Sequence, residues 1–381
     1  MAGNSNLHDS AKNKQDEFYT RLQLIEDELK HYRAHFKGKR VLCNCDDPYE
    51  SNFFKFFAMN FNALGLKSLT ATCYATSPVV YTQLDLFGDC GGRGATALPA
   101  SGVVPAKMSR GRGRTPCAPP SRKVPYKIVI TEVKDENGDG RVDLADVEWL
   151  IRNQKNVLSR LDGDGDFRSP ECVALLRDAD IVVTNPPFSL FREYMALLME
   201  HGKQFLVIGN MNAVTYREIF PLIRDNKVWL GNNSGHYWFK VPDSYEEKAT
   251  DFKIDENGQK WRRMGNICWF TNLDMEKRHK ELTLFKRYTP AEYPKYDNYD
   301  AIEVGKTTDI PCDYEGAIGV PITFMQYHNP DQFEILGATE SEGVGFSAGL
   351  WDADSGIAQP MMNGGKKYKR IFIRRRRESG V

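Results

Sequence analysis

The sequence predicts an α/β fold built on a doubly wound parallel sheet, followed by a smaller β-rich region. Three observations carry that prediction. Short apolar runs alternate with segments of helical period from residue 18 to residue 224, the pattern of helices packed on both faces of a parallel sheet. One run, Asp180-Ile181-Val182-Val183-Thr184, stops at Asn185-Pro186-Pro187-Phe188, and a helical segment begins at Ser189. Polar and aromatic groups thereby fall at the carboxyl end of a central strand, where open sheets bind ligands. After Lys227 the texture changes to short strand-like pieces crowded with Trp and Tyr.

The elements follow in order. Phe18, Leu22, Ile25, Leu29, Tyr32 and Phe36 recur at helical spacing, and Gly38 closes that helix. Residues 39–45 read as the first strand, Asp46-Asp47-Pro48 as a turn, 51–61 as an aromatic helix and 66–74 as the second strand. Residues 88–125 are rich in Gly, Pro, Arg and Ser and nearly free of large apolar side chains. That composition predicts a mobile basic insertion. Strands resume at 126–133, 180–184 and 204–209, with helices at 144–153 and 214–224. Beyond them, 228–231, 236–241 and 267–271 read as strands.

The 381 residues suffice for one large domain or two ordinary ones. With 51 basic and 51 acidic side chains the formal net charge is zero, so no whole-molecule field draws the chain to nucleic acid or membrane. The charge is unevenly placed, however. Arg93, Lys107, Arg110, Arg112, Arg114, Arg122, Lys123 and Lys127 form a stretch without an acidic residue, and 366–377 carries a second cluster. Local basic patches are expected on such a chain. Of eight cysteines only Cys43 and Cys45 stand close, on one side of the predicted strand. No second pair or histidine completes a zinc spacing, so they read as reduced thiols. The polar stretch 1–16 lacks a signal peptide's apolar segment, and no run reaches membrane-span length. A cytoplasmic protein is the expectation.

The chemistry concentrates at Asn185. Its side-chain oxygen and the Pro186 carbonyl are two acceptors, and Pro187 holds Pro186 extended. Phe188 adds an aromatic face. An exocyclic amino group on a purine or pyrimidine is a poor nucleophile, because its lone pair is delocalised into the ring. Two acceptors holding its protons would stabilise the nitrogen as it pyramidalises and attacks. The plain alternative is a strand-ending turn of Asn and two prolines, and the flanking strand and helix favour the site.

Asn185-Pro186-Pro187-Phe188 resembles the catalytic signature of adenine-specific amino-methyltransferases that use S-adenosylmethionine. The stretch from Lys37-Gly38-Lys39-Arg40 to Asp46-Asp47-Pro48 is similar to the EcoRI-type modification methylases. So are 179–194, Gly319-Val320-Pro321-Ile322-Thr323-Phe324 and Asn329-Pro330-Asp331-Gln332-Phe333-Glu334. The resemblance implies a Rossmann-like methyltransferase sheet over residues 1–231 and a target-recognition region over 232–381. It implies transfer of a methyl group from S-adenosylmethionine to the N6 amino group of adenine in double-stranded DNA, with the base flipped out of the helix. The resemblance leaves two settings open, a restriction-modification pair with a companion restriction endonuclease and an orphan or phage modification enzyme without one. By the same resemblance, Phe18-Tyr19-Thr20 corresponds to the N-terminal cofactor motif, although Arg21 stands where the motif usually has proline. Asp46, Asp47 and Pro48 fall at the turn that holds the methionine moiety, here without the usual glycines. Asp166-Phe167 resembles the pair that meets the cofactor adenine. Methylation of RNA or of a protein amide is the alternative within enzymes, and a calcium-binding DNA-binding protein without activity is the alternative outside them.

A second motif spans residues 135–146. It fits the twelve-residue calcium loop, with Asp135, Asn137, Asp139, Arg141, Asp143 and Asp146 as candidate ligand positions and Gly140 at the sixth. A structural calcium ion is one expectation for this loop, and an Asp-Gly-rich turn without metal is the other.

Overall fold

Ser51 shows how locally this fold is specified: its hydroxyl accepts the Phe53 amide at 3.1 Å and so caps an aromatic helix. The computed structural model describes residues 19–46, 51–73, 125–136, 138–153, 158–243, 245–339 and 346–376. Helix α1 (Leu22–Leu29) and a 3-10 turn (Arg33–Phe36) precede strand β1 (Arg40–Cys43). Helices α2 (Asn52–Met59) and α3 (Phe61–Leu64) lead to β2 (Ser68–Thr72). Strand β3 (Tyr126–Ile130), helix α4 (Leu144–Asn153) and strand β4 (Leu158–Arg160) follow. Helix α5 (Pro170–Asp178) enters β5 (Ile181–Thr184), and α6 (Phe191–Glu200) enters β6 (Gln204–Asn210). Helix α7 (Phe220–Arg224) precedes β7 (Trp229–Lys240), β8 (Phe252–Ile254) and β9 (Lys260–Thr271). The remainder holds β10 (Ile302–Glu303), β11 (Ile318–Pro321), β12 (Phe333–Ala338), β13 (Met361–Met362), β14 (Gly365–Lys366) and β15 (Arg370–Arg375).

Nine of these strands form one sheet in the order β4-β3-β2-β1-β5-β6-β9-β7, with β8 on β9. Its centre, β2-β1-β5-β6, is parallel. From β1 the chain crosses to β2 on one side, and from β5 to β6 on the other. The order therefore reverses between β1 and β5, which opens a crevice at their carboxyl ends. Val41, Cys43, Ile181 and Val183 point into one core with α1 to α4, and Leu42 and Val182 point into a second core. That period of two, buried on both faces, is what covered parallel strands require. The second core is shared with the smaller sheet β10-β11-β15-β12 through Ile318, Phe333 and Ile371.

Several expectations need correcting. The wings of the large sheet are antiparallel: β3 runs against β2, β4 against β3, and β9 against both β6 and β7. The first helix stops at Leu29 and resumes only as a 3-10 turn. A single helix over 214–224 does not form. Asn210 accepts the Asn212 amide and starts a 3-10 turn (Met211–Thr215), while Pro221 begins a separate short helix. The two pieces expected at 228–231 and 236–241 are one strand, β7, with register shifts on either side of Ser234–Gly235. Glu28 explains the first shift. Its buried carboxyl group accepts the amides of Asn232 at 2.6 Å and Asn233 at 2.8 Å, together with the Tyr32 hydroxyl. β1 ends at Cys43, so Cys43 and Cys45 join different cores instead of sharing a side. The bulk of the predicted basic insertion, 88–124, lies outside the described residues. The chain leaves β2 and returns to β3 at neighbouring positions, with the Cys73 amide bonded to the Tyr126 carbonyl at 3.1 Å. Among the described residues no helix is long and apolar enough to cross a membrane.

Candidate active site

The carboxyl ends of β1 and β5 are tied by one carboxylate. Asp46, 6% exposed, accepts the Ser51 hydroxyl on Oδ1 at 2.6 Å and the Thr184 hydroxyl on Oδ2. Ser51 caps α2, so a single side chain joins the end of β1, the start of α2 and the end of β5. Asn52 extends the chain of contacts, its Nδ2 donating to the Thr20 carbonyl at 2.7 Å. Tyr19 is fixed by a two-bond bridge to Lys240, whose neighbour Phe239 packs edge-on against Phe188 with centroids 6.2 Å apart. A chain of contacts thus links Tyr19, Thr20, Asp46, Thr184 and Phe188 at the carboxyl ends of β1 and β5, although residues 20, 46 and 184 are far apart in the sequence.

Asn185 leaves β5 immediately after Thr184. Its Oδ1 is shielded from solvent, Pro186 is buried, and Pro187 is half-buried. The Pro187 carbonyl accepts the Leu190 amide at 3.0 Å, closing a 3-10 turn (Phe188–Leu190) that launches α6. The expected strand and helix both form, but the helix starts at Phe191 instead of Ser189, because the 3-10 turn stands between them.

Behind the tetrad lies a buried polar pair. Tyr194 of α6 donates its hydroxyl to Asn44 Oδ1, and burial keeps the Tyr194 phenol well above its ordinary pKa, so it remains a donor. Asn44 is 3% exposed, and its Nδ2 has no partner among the described residues. Phe167 packs edge-on against Tyr194 at 5.1 Å. Asp166 binds Arg168 through Oδ1 to Nε at 2.9 Å and through Oδ2 at 2.7 Å. Arg168 also bridges to Glu193 of α6 at 2.7 Å, and its guanidinium holds the Asp166 carboxyl below the usual range. Gly165, at φ +80°, lets this loop pass over the end of β2, where a Cβ would stand 2.3 Å from the Cys73 carbonyl oxygen.

Asn44, Ser51, Thr184 and Tyr194 escape sequence reasoning as site residues. Ser51 is visible as a cap. The other three carry no local signal, because their roles depend on the neighbouring strand. Phe18, Asp47, Pro48 and Asn137 lie outside the described residues.

The 135–146 loop is elsewhere. Ile130 pairs with Leu69 and Lys127 with Thr72, so antiparallel β3 delivers the loop to the edge of the sheet opposite Asn185. Asp135 accepts the amides of Gly138, Asp139 and Gly140. Asp139 accepts Arg141, Asp143 accepts Ala145, and Asp146 accepts Glu136 and Asp143. Among the described residues no group of three or more His, Cys, Asp or Glu is arranged to hold a metal ion.

A Rossmann-like sheet with an Asn-Pro-Pro-aromatic tetrad at its switch point defines the class of amino-methyltransferases. The chain belongs within it to the EcoRI family of adenine-specific DNA methyltransferases, whose model, described as adenine-specific methyltransferase EcoRI, matches residues 6–376. It is 42% identical over 380 residues to the Type II methyltransferase M.EcoRI of Escherichia coli, covering 99% of this chain and 98% of that one. It is 36% identical over 331 residues to the Type II methyltransferase M.MpnI of Mycoplasma pneumoniae, covering 85% and 83%. The Type II methyltransferase M.MgeORF184P of Mycoplasma genitalium is 32% identical over 373 residues, covering 96% of each. No solved structure shows a significant match. Membership of a methyltransferase family implies S-adenosylmethionine as the donor.

Proposed function

We propose that the crevice methylates the N6 amino group of an adenine drawn out of duplex DNA, with each site residue in a stated role. Asn185 Oδ1 and the Pro186 carbonyl accept the two amino protons, and Phe188, braced by Phe239, stacks on the base. The observation that carries this reading is the placement of the tetrad at the carboxyl end of β5, beside the reversal between β1 and β5. Extrusion is required, because the amino group is a pairing edge in the duplex.

The residues at the crevice fit the cofactor. Asn44 Nδ2 and Thr20 Oγ1 are buried polar atoms without a protein partner among the described residues; each would go unsatisfied unless a ligand met it. Asn44, oriented by Tyr194, would donate to an acceptor on the cofactor. Thr20 and Tyr19 would border the methionine moiety, with Asp46 beside them; Phe18, Asp47 and Pro48, assigned by resemblance to the same moiety, lie outside the described residues. Asp166 Oδ2 keeps acceptor capacity for the adenine amino group, and Phe167 packs beside that ring. The cofactor supplies an electrophilic methyl on a sulfonium, and the protein supplies the acceptors that make the amino nitrogen reactive. The loop 135–146 is assigned as a turn satisfied by its own backbone amides.

In the biological setting the reading implies modification at one recognition sequence in the cytoplasm, with residues 232–381 providing recognition and a companion endonuclease as the partner activity. Single-molecule sequencing of DNA from cells expressing the protein tests it. N6-methyladenine in one recurring sequence context is expected. Unmodified DNA, with methyl transfer instead to RNA or protein amides, would overturn it.

A further inference from the structure

Between residues 357 and 377 the chain carries Lys and Arg and no acidic residue. Several of these cations are engaged inside the fold. Arg370 pairs with Glu303 at 2.7 Å, Arg374 pairs with Glu334 at 2.8 Å, and Arg376 donates to the Pro330 carbonyl. Lys366 and Lys367 differ: neither ammonium has a partner among the described residues, and Lys366 is exposed.

The element that carries them is built to stay in place. β13 and β14 form a hairpin, with Met361 opposite Lys366 and Met362 opposite Gly365. Its turn is Asn363-Gly364, at φ 50° and 73°, the left-handed two-residue turn that Asn-Gly favours. Asn298, 2% exposed, secures the approach. Its Nδ2 donates to the carbonyls of Ile357 and Gln359, and its Oδ1 accepts the Met361 amide. Asp297 accepts the Gly364 amide at the tip.

The outgoing end is fixed at the active-site edge. The Tyr368 hydroxyl donates to Asn212 Oδ1 at 2.8 Å, and Lys369 Nζ donates to Thr215 Oγ1 at 3.2 Å. Asn212 and Thr215 lie in the turn that follows β6, one strand from the tetrad. Arg192, in the first turn of α6, covers Tyr216 at 4.3 Å, so this turn adjoins the helix launched by Asn185-Pro186-Pro187-Phe188. Tyr368 remains 57% exposed.

We propose that the ribbon 361–369 is a phosphate grip. Lys366 and Lys367 pair with backbone phosphates of the DNA flanking the extruded base, and the exposed ring of Tyr368 lies against the same strand. Charge complementarity, a rigid mounting and a position at the carboxyl edge all fit one occupant, duplex DNA. The inference rests on the reading of DNA as substrate.

The test measures binding of a fluorescein-labelled duplex of arbitrary sequence across a range of salt concentrations, since phosphate contacts are sequence-independent. Lys366→Ala/Lys367→Ala is expected to flatten the log–log salt slope by about 2, because each phosphate contact adds roughly 0.9. Lys366→Arg/Lys367→Arg should keep the wild-type slope, and both variants should bind S-adenosylhomocysteine as the wild type does. An alanine variant that binds the cofactor product normally and keeps the full slope overturns the ribbon alone. Wild-type protein that leaves DNA unmethylated overturns the substrate reading itself, so the two failures are distinguishable.

Discussion

Asn185 and Asn44 stand at the ends of adjacent strands, yet their replacement should have opposite signatures. On the proposed reading Asn185 acts on the amino group of the base, so Asn185→Ala should lower kcat by a hundredfold or more while cofactor affinity stays nearly unchanged. Losing one preorganised partner of this kind costs about 3 to 4 kcal/mol. Single-turnover methylation alongside calorimetry of the cofactor separates the two quantities, and near-native turnover would remove the residue from catalysis. Asn44→Ala should do the reverse and weaken S-adenosylhomocysteine binding, with a loss of about 1 to 3 kcal/mol for a buried hydrogen bond. Its Tyr194 partner would remain folded in place, and unchanged affinity would return Asn44 to a structural role. At this scale the tetrad was legible because its chemistry lies in consecutive residues. Asn44 was not: its burial and its bond to Tyr194, 150 positions away, depend on the neighbouring elements and leave no local signal.

Among the elements, the loop 135–146 carries two readings of one motif, and we propose the turn. Its spacing of Asp and Gly matches a calcium loop, and the carboxylates of Asp135, Asp139, Asp143 and Asp146 meet backbone amides as in a turn. The melting temperature should therefore be the same in millimolar calcium and in chelator. A calcium-dependent rise, by the RT ln(1 + [L]/Kd) that a folded-state ligand contributes, would restore the metal site. The strands of the parallel centre were legible because burial on both faces leaves continuous apolar runs. The direction of β3 was not, since an apolar strand reads the same in either sense and its partner decides. The helix expected at 214–224 failed for a local reason, an Asn-capped turn followed by Pro221. The smaller sheet offers a pH test. Burial, together with Arg278 and Arg376, depresses the His328 imidazole to about 4, and its ring nitrogen lies 3.1 Å from the Phe333 carbonyl oxygen. The folded state holds this group neutral while the unfolded chain protonates near 6.5. Stability from it is then full above about pH 6.5, falls as pH drops towards 4, and changes no further below. His328→Gln should remove up to about 3 kcal/mol of that dependence. Parallel denaturation curves for wild type and variant across this window would show that the histidine contributes none of it.

For the molecule as a whole, the proposed division of labour at residue 231 does not coincide with a division in folding. β7 and β9 complete the large sheet beyond β6, and Trp269 and Phe270 supply one side chain each to the two cores. Glu28, deep in the N-terminal part, has its carboxyl group met by the amides of Asn232 and Asn233, and burial already raises its pKa. A fragment ending at 231 would leave that carboxyl group with the Tyr32 hydroxyl and without its two backbone amides, at a cost of about 1 to 3 kcal/mol. It would also expose the edge of β6 as a template for aggregation and strip apolar cover from both faces. We therefore expect residues 1–231 expressed alone to be insoluble or to lack cofactor affinity. The full chain should unfold in one cooperative transition, coincident by near-UV and far-UV circular dichroism. Glu28→Gln should destabilise both parts together, because the bulge it pins lies where they share the sheet. A soluble 1–231 fragment that bound S-adenosylhomocysteine with native affinity would show that the cofactor site is autonomous, and that the long strands after Lys227 serve recognition alone.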